Sequence, residues 1–179
     1  MAFAMLAGLA AAGPLACAST VQVSERADFD FSSSRTYAWI TDEPVLIQFG
    51  KPQPNVRTRA NEALIRDAVD RELAAKGYTK VEHDDADLLV AFSVGVLMRY
   101  RVEGVSLGDA PGGRQTKGTL NLYFLDRKSA REVWHAYVSR WLSKSDDPKA
   151  VADGAVGRIL AEFPAAPASA SAVGERRDQ

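Results

Sequence analysis

The sequence predicts an α+β domain in which a single antiparallel, curved sheet of about four to six strands carries two helices on one face. Three observations lead there. Leu88, Val90, Phe92, Val94, Val96, Met98, Tyr100 and Val102 are apolar at every second position, while Ala91, Ser93, Gly95, Arg99, Arg101 and Glu103 fill the other parity, the signature of a long one-faced strand. Two other stretches, one before this strand and one near the end, carry apolar residues at helical spacing instead. The resulting order is strand, helix, three or four strands, helix, so both helices can cover the same face.

The first β-prone runs are Val21-Gln22-Val23 and, after a turn-rich DFDFSSS, Arg35-Thr-Tyr-Ala-Trp-Ile40, in which Tyr37 and Trp39 share a face. Three prolines make TDEPVLIQFGKPQPN a loop, whose Val45, Leu46 and Ile47 need cover. A helix is predicted over 56–76, with Ala60, Ala63, Leu64, Ala68 and Leu73 as its stripe, Ile65 and Val69 widening it, Asn55 as N-cap and Gly77 just past its end. Asp67 with Arg71 and Glu72 with Lys76 are spaced as i,i+4 ion pairs on its wet side. After Tyr78-Thr-Lys-Val81 and the acidic HDDAD comes the long strand, where Gly95 predicts a bulge or bend. Beyond the glycine-rich GVSLGDAPGG, strands are predicted over 116–125 and 132–142, joined by a reversal at 126–131. Asp146-Asp147-Pro148 signals the start of the last helix, with Val151, Ala155, Ile159, Leu160 and Phe163 as its stripe and Pro164 as its stop. Gly154 and Gly157 weaken a helix interior, which predicts a close helix-to-sheet approach in compensation.

Across all 179 residues the composition is 46% apolar, 25% charged and 8% aromatic, which excludes collagen-like, polytopic membrane and wholly disordered chains. A net charge of -1 lacks the cationic excess that draws a chain to nucleic acid. One cysteine excludes a disulfide scaffold. That average conceals an uncharged, Ala/Leu-rich opening, MAFAMLAGLAAAGPLACAST, too short in its apolar part to span a bilayer and broken at Gly13-Pro14, as an export leader is. Cys17 falls where the apolar run stops. Leu15-Ala16-Cys17 resembles the end of a bacterial lipobox, which implies cleavage before Cys17 and diacylglycerol on its sulfur; Pro14 and the missing basic n-region depart from that pattern. Ala18 stands where an inner-membrane lipoprotein commonly has Asp, which implies the outer membrane. The expected organisation is a leader over 1–16, one domain over 17–164, and a disordered, small-residue, Pro-punctuated tail over 165–179.

Several pieces occur in a familiar order: the Cys-ending leader, Phe31-Ser-Ser-Ser-Arg-Thr-Tyr-Ala-Trp39, Ala-Ala-Lys-Gly-Tyr78, Ala-Asp-Leu-Leu-Val90, Gly118-Thr-Leu with Asp126, Val133-Trp134, and Arg-Ile-Leu-Ala-Glu-Phe-Pro164. Together they resemble the bacterial lipoproteins of domain-of-unknown-function family 4136. The resemblance covers nearly all of 17–164. It implies an α+β envelope lipoprotein and brings no catalytic residue with it. Ser129-Ala130 stands where the family's hairpin turn commonly has glycine.

Residues that could carry chemistry are few. His83, Asp84, Asp85 and Asp87 put an imidazole and three carboxylates within five positions, a conceivable divalent-cation cluster, although an EF-hand's glycine and bidentate Glu are missing and Asp-rich turns before strands commonly meet only water. There is no G-x-S-x-G, the chain has only two histidines, and Cys17 sits in the leader, so neither a hydrolase triad nor a Cys-His pair is predicted. The glycine-rich GVSLGDAPGGR lacks the Lys-Ser/Thr and following helix of a phosphate cradle. Arg99 and Arg101 on the polar parity, with Tyr123 and Trp141, could form an anion- or peptide-binding face, though a plain wet sheet face has the same pattern. The expectation is therefore a non-enzymatic protein without cofactor or nucleic-acid partner. It is held to the periplasmic face of the outer membrane through Cys17, and binds an envelope protein or other component through its sheet face or a strand edge. The alternative is a carrier that holds a lipid or other apolar molecule between sheet and helices.

Overall fold

The computed structural model describes residues 20–41, 58–100 and 114–168. Cys17, the Val45–Ile47 run, Asn55, Arg101, the glycine-rich connection and the tail beyond 168 lie outside the described residues. Ten elements follow in order: strand β1 (Gln22–Glu25), a 3-10 turn (Phe31–Ser33), β2 (Thr36–Trp39), helix α1 (Arg59–Ala75), β3 (Thr79–Lys80), a second 3-10 turn (His83–Asp85), β4 (Leu88–Tyr100), β5 (Arg114–Asp126), β6 (Arg131–Leu142) and helix α2 (Pro148–Ala161). The strands form one six-stranded, curved sheet in the order β1-β6-β5-β4-β2-β3. Both helices pack against it.

β4, β5, β6 and β1 are antiparallel neighbours, as the alternation predicts. The end of the sheet differs, because β2 runs parallel to both β3 and β4. The cause is α1: a chain that leaves β2 through a helix laid along the sheet returns in the same direction, and antiparallel hairpins cannot be made that way. β3 pairs through only two residues, Thr79 and Lys80, so its share of the pattern is too short to read.

The predicted irregularity falls elsewhere. The β4 and β5 register runs unbroken through Gly95, opposite Thr119, so no bulge sits there. Instead the β5 and β6 register shifts between Phe124, opposite Trp134, and Leu125, opposite Glu132. Val133 is the extra residue, which is why the consecutive Val133 and Trp134 are both buried in a strand that otherwise alternates. The turn that follows β5 holds Ala130 at φ 53, the left-handed region that glycine occupies more comfortably, and Asp126 steadies it by accepting from the Ser129 amide and hydroxyl.

The helices are capped by their own sequence. Thr58 accepts from the Asn61 amide at 3.0 Å and starts α1 three residues later than expected. Asp147 accepts from the amides of Lys149 and Ala150, with Pro148 in the first helical position. The i,i+4 pairs predicted on α1 are not what its cations choose. Arg71 reaches across to Asp153 of α2 at 2.8 Å, and Lys76 donates to the Phe163 carbonyl at 2.8 Å, next to the end of α2 where the helix dipole is negative. The glycines of α2 also have a different setting from the predicted sheet contact: a Cβ at Gly154 would meet open space, and one at Gly157 would meet only Glu72 Oε1 of α1 at 3.8 Å.

One core fills the space between sheet and helices, with Leu88, Val90, Leu122, Phe124 and Trp134 from the sheet against Val69, Leu73, Val156, Ile159 and Leu160 from the helices. Phe163 is its centre. Its ring stacks on Phe124 at 4.0 Å and meets Trp134, Phe31 and Tyr78 at 5.0, 5.5 and 5.6 Å. The apolar parity of β4 and the helix stripes are thus used on one another. Past Pro164 the chain stays docked, with the Ala166 amide donating to the Lys76 carbonyl at 2.9 Å and Arg35 donating to the Pro167 carbonyl.

Candidate functional site

Because α1 and α2 occupy one face, the odd-numbered residues of β5, and those of β6 beyond the Val133 bulge, point away from them. Registers place these side chains in cross-strand rows. Leu97, Lys117 and Trp141 form one row, Gly95, Thr119 and Ser139 the next, then Ser93, Asn121, Tyr137 and Gln22, then Ala91, Tyr123, His135 and Ser24. Tyr123 and Trp141, suggested from sequence parity, do share this face, and Arg99 follows Leu97 on the same parity, its backbone opposite Gln115.

The face is ordered at one end and apolar at the other. The Tyr123 and His135 rings stack at 4.5 Å with an interplanar angle of 3°, and His135 lies 6.0 Å from Tyr137. His135 Nε2 is 3.4 Å from Asn121 Oδ1, and the Tyr123 hydroxyl is 3.4 Å from Ser93 Oγ. The Thr119 and Ser139 hydroxyls share a 2.6 Å hydrogen bond across the small-residue row. Beyond it stand Leu97 and Trp141, 50% and 46% exposed, an arrangement that a folded chain adopts at the cost of leaving apolar surface wet. The four rows contain no carboxylate, and Lys117 gives them positive charge. Such a surface can hold a partner by ring contact and hydrogen bonding.

The acidic segment has a different role from a cation cage. His83, Asp84 and Asp85 form the short exposed turn, with His83 Nδ1 3.3 Å from Asp84 Oδ1. Asp87 turns away from them and holds β2: its carboxylate accepts from the Arg35 amide at 2.8 Å, the Thr36 amide at 3.0 Å and the Thr36 hydroxyl at 2.9 Å, while its own amide donates to Thr36 Oγ1. Among the described residues no three His, Cys, Asp or Glu side chains are grouped to hold a metal. Burial of Asp87 would raise its pKa, but these hydrogen bonds and the charge of Lys128 outweigh it and hold the carboxyl below its ordinary 3.8. A depressed carboxyl stabilises the fold above the unfolded pKa and loses that contribution as pH falls through the folded one. Wild type is therefore expected to be more stable than Asp87→Asn at neutral pH, and the gap in urea midpoint to narrow below pH 3.8. A gap that is constant down to acid pH would refute a charge-based role.

Asp70 of α1 is a second polar centre, which no sequence motif announced. It accepts from the Tyr37 hydroxyl at 2.9 Å and Trp39 Nε1 at 3.0 Å through one oxygen, and pairs with Lys80 at 2.8 Å through the other. Arg66 lies 4.6 Å from the Trp39 ring centroid. Burial first, then the Asp70 charge and hydrogen bond, push the Tyr37 phenol above its ordinary value, so it stays a donor. The legible clue was Tyr37 and Trp39 on one face, two buried aromatics whose polar ends each require a partner.

Similar folds are found among solved structures. A PDZ domain protein from Parabacteroides distasonis is 17% identical with a TM-score of 0.55, the match covering 82% of this chain and 35% of that one. PelC from Paraburkholderia phytofirmans, described as a dodecamer, is 14% identical with a TM-score of 0.48 over 84% of this chain and 99% of that one. A Xanthomonas campestris protein of the DUF330 family is 18% identical with a TM-score of 0.38, over 80% and 89% of the two chains. No curated protein matches. The model named Domain of unknown function (DUF4136) matches residues 21–165, from the threshold of β1 to just past Phe163, and the chain belongs to that family.

Proposed function

We propose that this protein is a lipid-anchored component of the bacterial envelope, attached through Cys17 at the periplasmic face of the outer membrane, and that it works by binding rather than by catalysis. The observation that carries the binding part is the outer sheet face, where Tyr123 on β5 and His135, Tyr137 and Trp141 on β6 stand with no described helix over them. The anchored part is supported by the uncharged leader, by Cys17 at its end, and by the closeness of that cysteine to β1, five residues on. Several acyl chains, each adding about 0.8 kcal/mol per buried CH₂, would make the attachment lasting. A carrier function has no comparable support, since Phe163 and its neighbours fill the region between sheet and helices.

A Cys17→Ser variant expressed with its leader is expected to lose acyl labelling and to leave the membrane fraction. Labelling and partitioning that survive the substitution would sink the anchor. Crosslinking in intact envelopes tests the binding role: a partner recovered by wild type and lost on Tyr137→Ala supports it, and no reproducible partner counts against it.

A further inference from the structure

The anchor and two of the exposed apolar residues, Leu97 and Trp141, belong to the same end of the sheet. β1 runs antiparallel to β6, with Gln22 opposite Tyr137 and Glu25 opposite Trp134, so the chain ahead of Gln22 enters from the side toward which β6 proceeds. Cys17 stands five positions before Gln22, a reach of at most about 17 Å. Trp141 lies four residues beyond Tyr137 on β6, about 14 Å along the strand. The lipid-bearing cysteine is therefore within reach of the Leu97, Lys117 and Trp141 row.

That row has the chemistry of a bilayer's headgroup zone. An indole with an apolar body and one polar N–H favours that zone, leucine extends the apolar contact, and a lysine between them suits anionic phospholipid. Leu97 and Trp141 are half exposed, whereas Trp39 and Trp134 are 6% and 0% exposed. None of the four outer rows holds a carboxylate to repel anionic lipid. We infer that this row rests in the headgroup region of an anionic phospholipid bilayer, which fixes the domain's orientation on its anchor. The Tyr123 and His135 stack then points away from the membrane, toward partners. The inference rests on the anchored reading above and adds a docking surface to it.

The test uses the full, acylated chain in vesicles of phosphatidylethanolamine and phosphatidylglycerol, with and without brominated acyl chains. Bromine quenches an indole it approaches, and Trp141 is the exposed one of three. Wild-type emission from Trp141, taken as the difference from Trp141→Phe, is expected to fall about two-fold in brominated vesicles. A Leu97→Glu, Lys117→Glu variant, which keeps all three tryptophans, is expected to lose that quenching while remaining folded and acylated. Acylated wild-type protein that shows the same quenching as Trp141→Phe would overturn the docking surface and leave the anchor standing. Cys17 found without acyl chains would overturn the anchor and the docking surface together.

Discussion

Phe163→Ala is expected to cost about 4 kcal/mol of folding stability, a large share of the 5–15 kcal/mol that a domain possesses. The ring is 2% exposed and meets four other aromatic side chains, contributed by the segment before β2, the segment after α1, β5 and β6. Its removal leaves a cavity that those elements cannot close without moving relative to one another, and the cavity adds to the lost transfer energy. Two of the neighbours bring polar atoms into the core without a hydrogen bond. Tyr78 OH and Trp134 Nε1 are buried without a hydrogen-bond partner among the described residues, and burial pushes the Tyr78 phenol up to about 12. Urea unfolding followed by far-UV circular dichroism measures the loss. Phe163→Leu should recover much of it, and a loss below about 1 kcal/mol for alanine would show that the cluster repacks freely.

Asp70→Ala is expected to cost about 3 kcal/mol, because it strands two buried donors at once. Tyr37 and Trp39 are 2% and 6% exposed, so water cannot readily replace the carboxylate on either. The Lys80 pair contributes little to that figure, since its lysine is half exposed and such pairs are worth under about 1 kcal/mol. Asp70→Asn separates the two contributions. It keeps one acceptor oxygen for Tyr37 and Trp39 while discarding the charge, and is expected to lose only about 1 kcal/mol. Equal losses for the two variants in urea melts would mean that charge, not acceptor geometry, is what Asp70 provides.

Residues of one kind account for what was legible beforehand. Where a pattern repeats over many positions, as the alternation of β4 does from Leu88 onward, periodicity names the element and its buried face. On α1 it names the helix, but Ala60 and Ala63 of the expected stripe are exposed and the buried side is carried by Glu62, Ile65, Ala68, Val69 and Leu73. Where structure depends on a partner far along the chain, periodicity is silent. Lys76 has Glu72 one turn earlier but donates to Phe163, and Arg71 prefers Asp153 to Asp67, because the neighbouring helix places an acceptor within reach. Asp87 looked like one member of an acidic cluster. Its three donors come from residues 35 and 36, about 50 positions away, and no local reading could find them. The outer face was half visible, since parity put Tyr123 and Trp141 outward while the stacking of His135 on Tyr123 needed the β5 and β6 register.

What the sequence determined by itself was the architecture: one sheet, two helices on one side, and a last helix capped by Asp147 with Pro148 in its first position. These follow from interactions within a few residues, where spacing is set by covalent geometry. The tertiary structure alone decided that β2 joins the sheet in parallel, that the bulge lies at Val133 and not at Gly95, that Asp70 gathers Tyr37, Trp39 and Lys80, and that Leu97 and Trp141 meet in one exposed row. Each of these is a choice among partners distant in sequence, made by the packing of the whole chain around Phe163, and the residues concerned carry no mark of it in their local order.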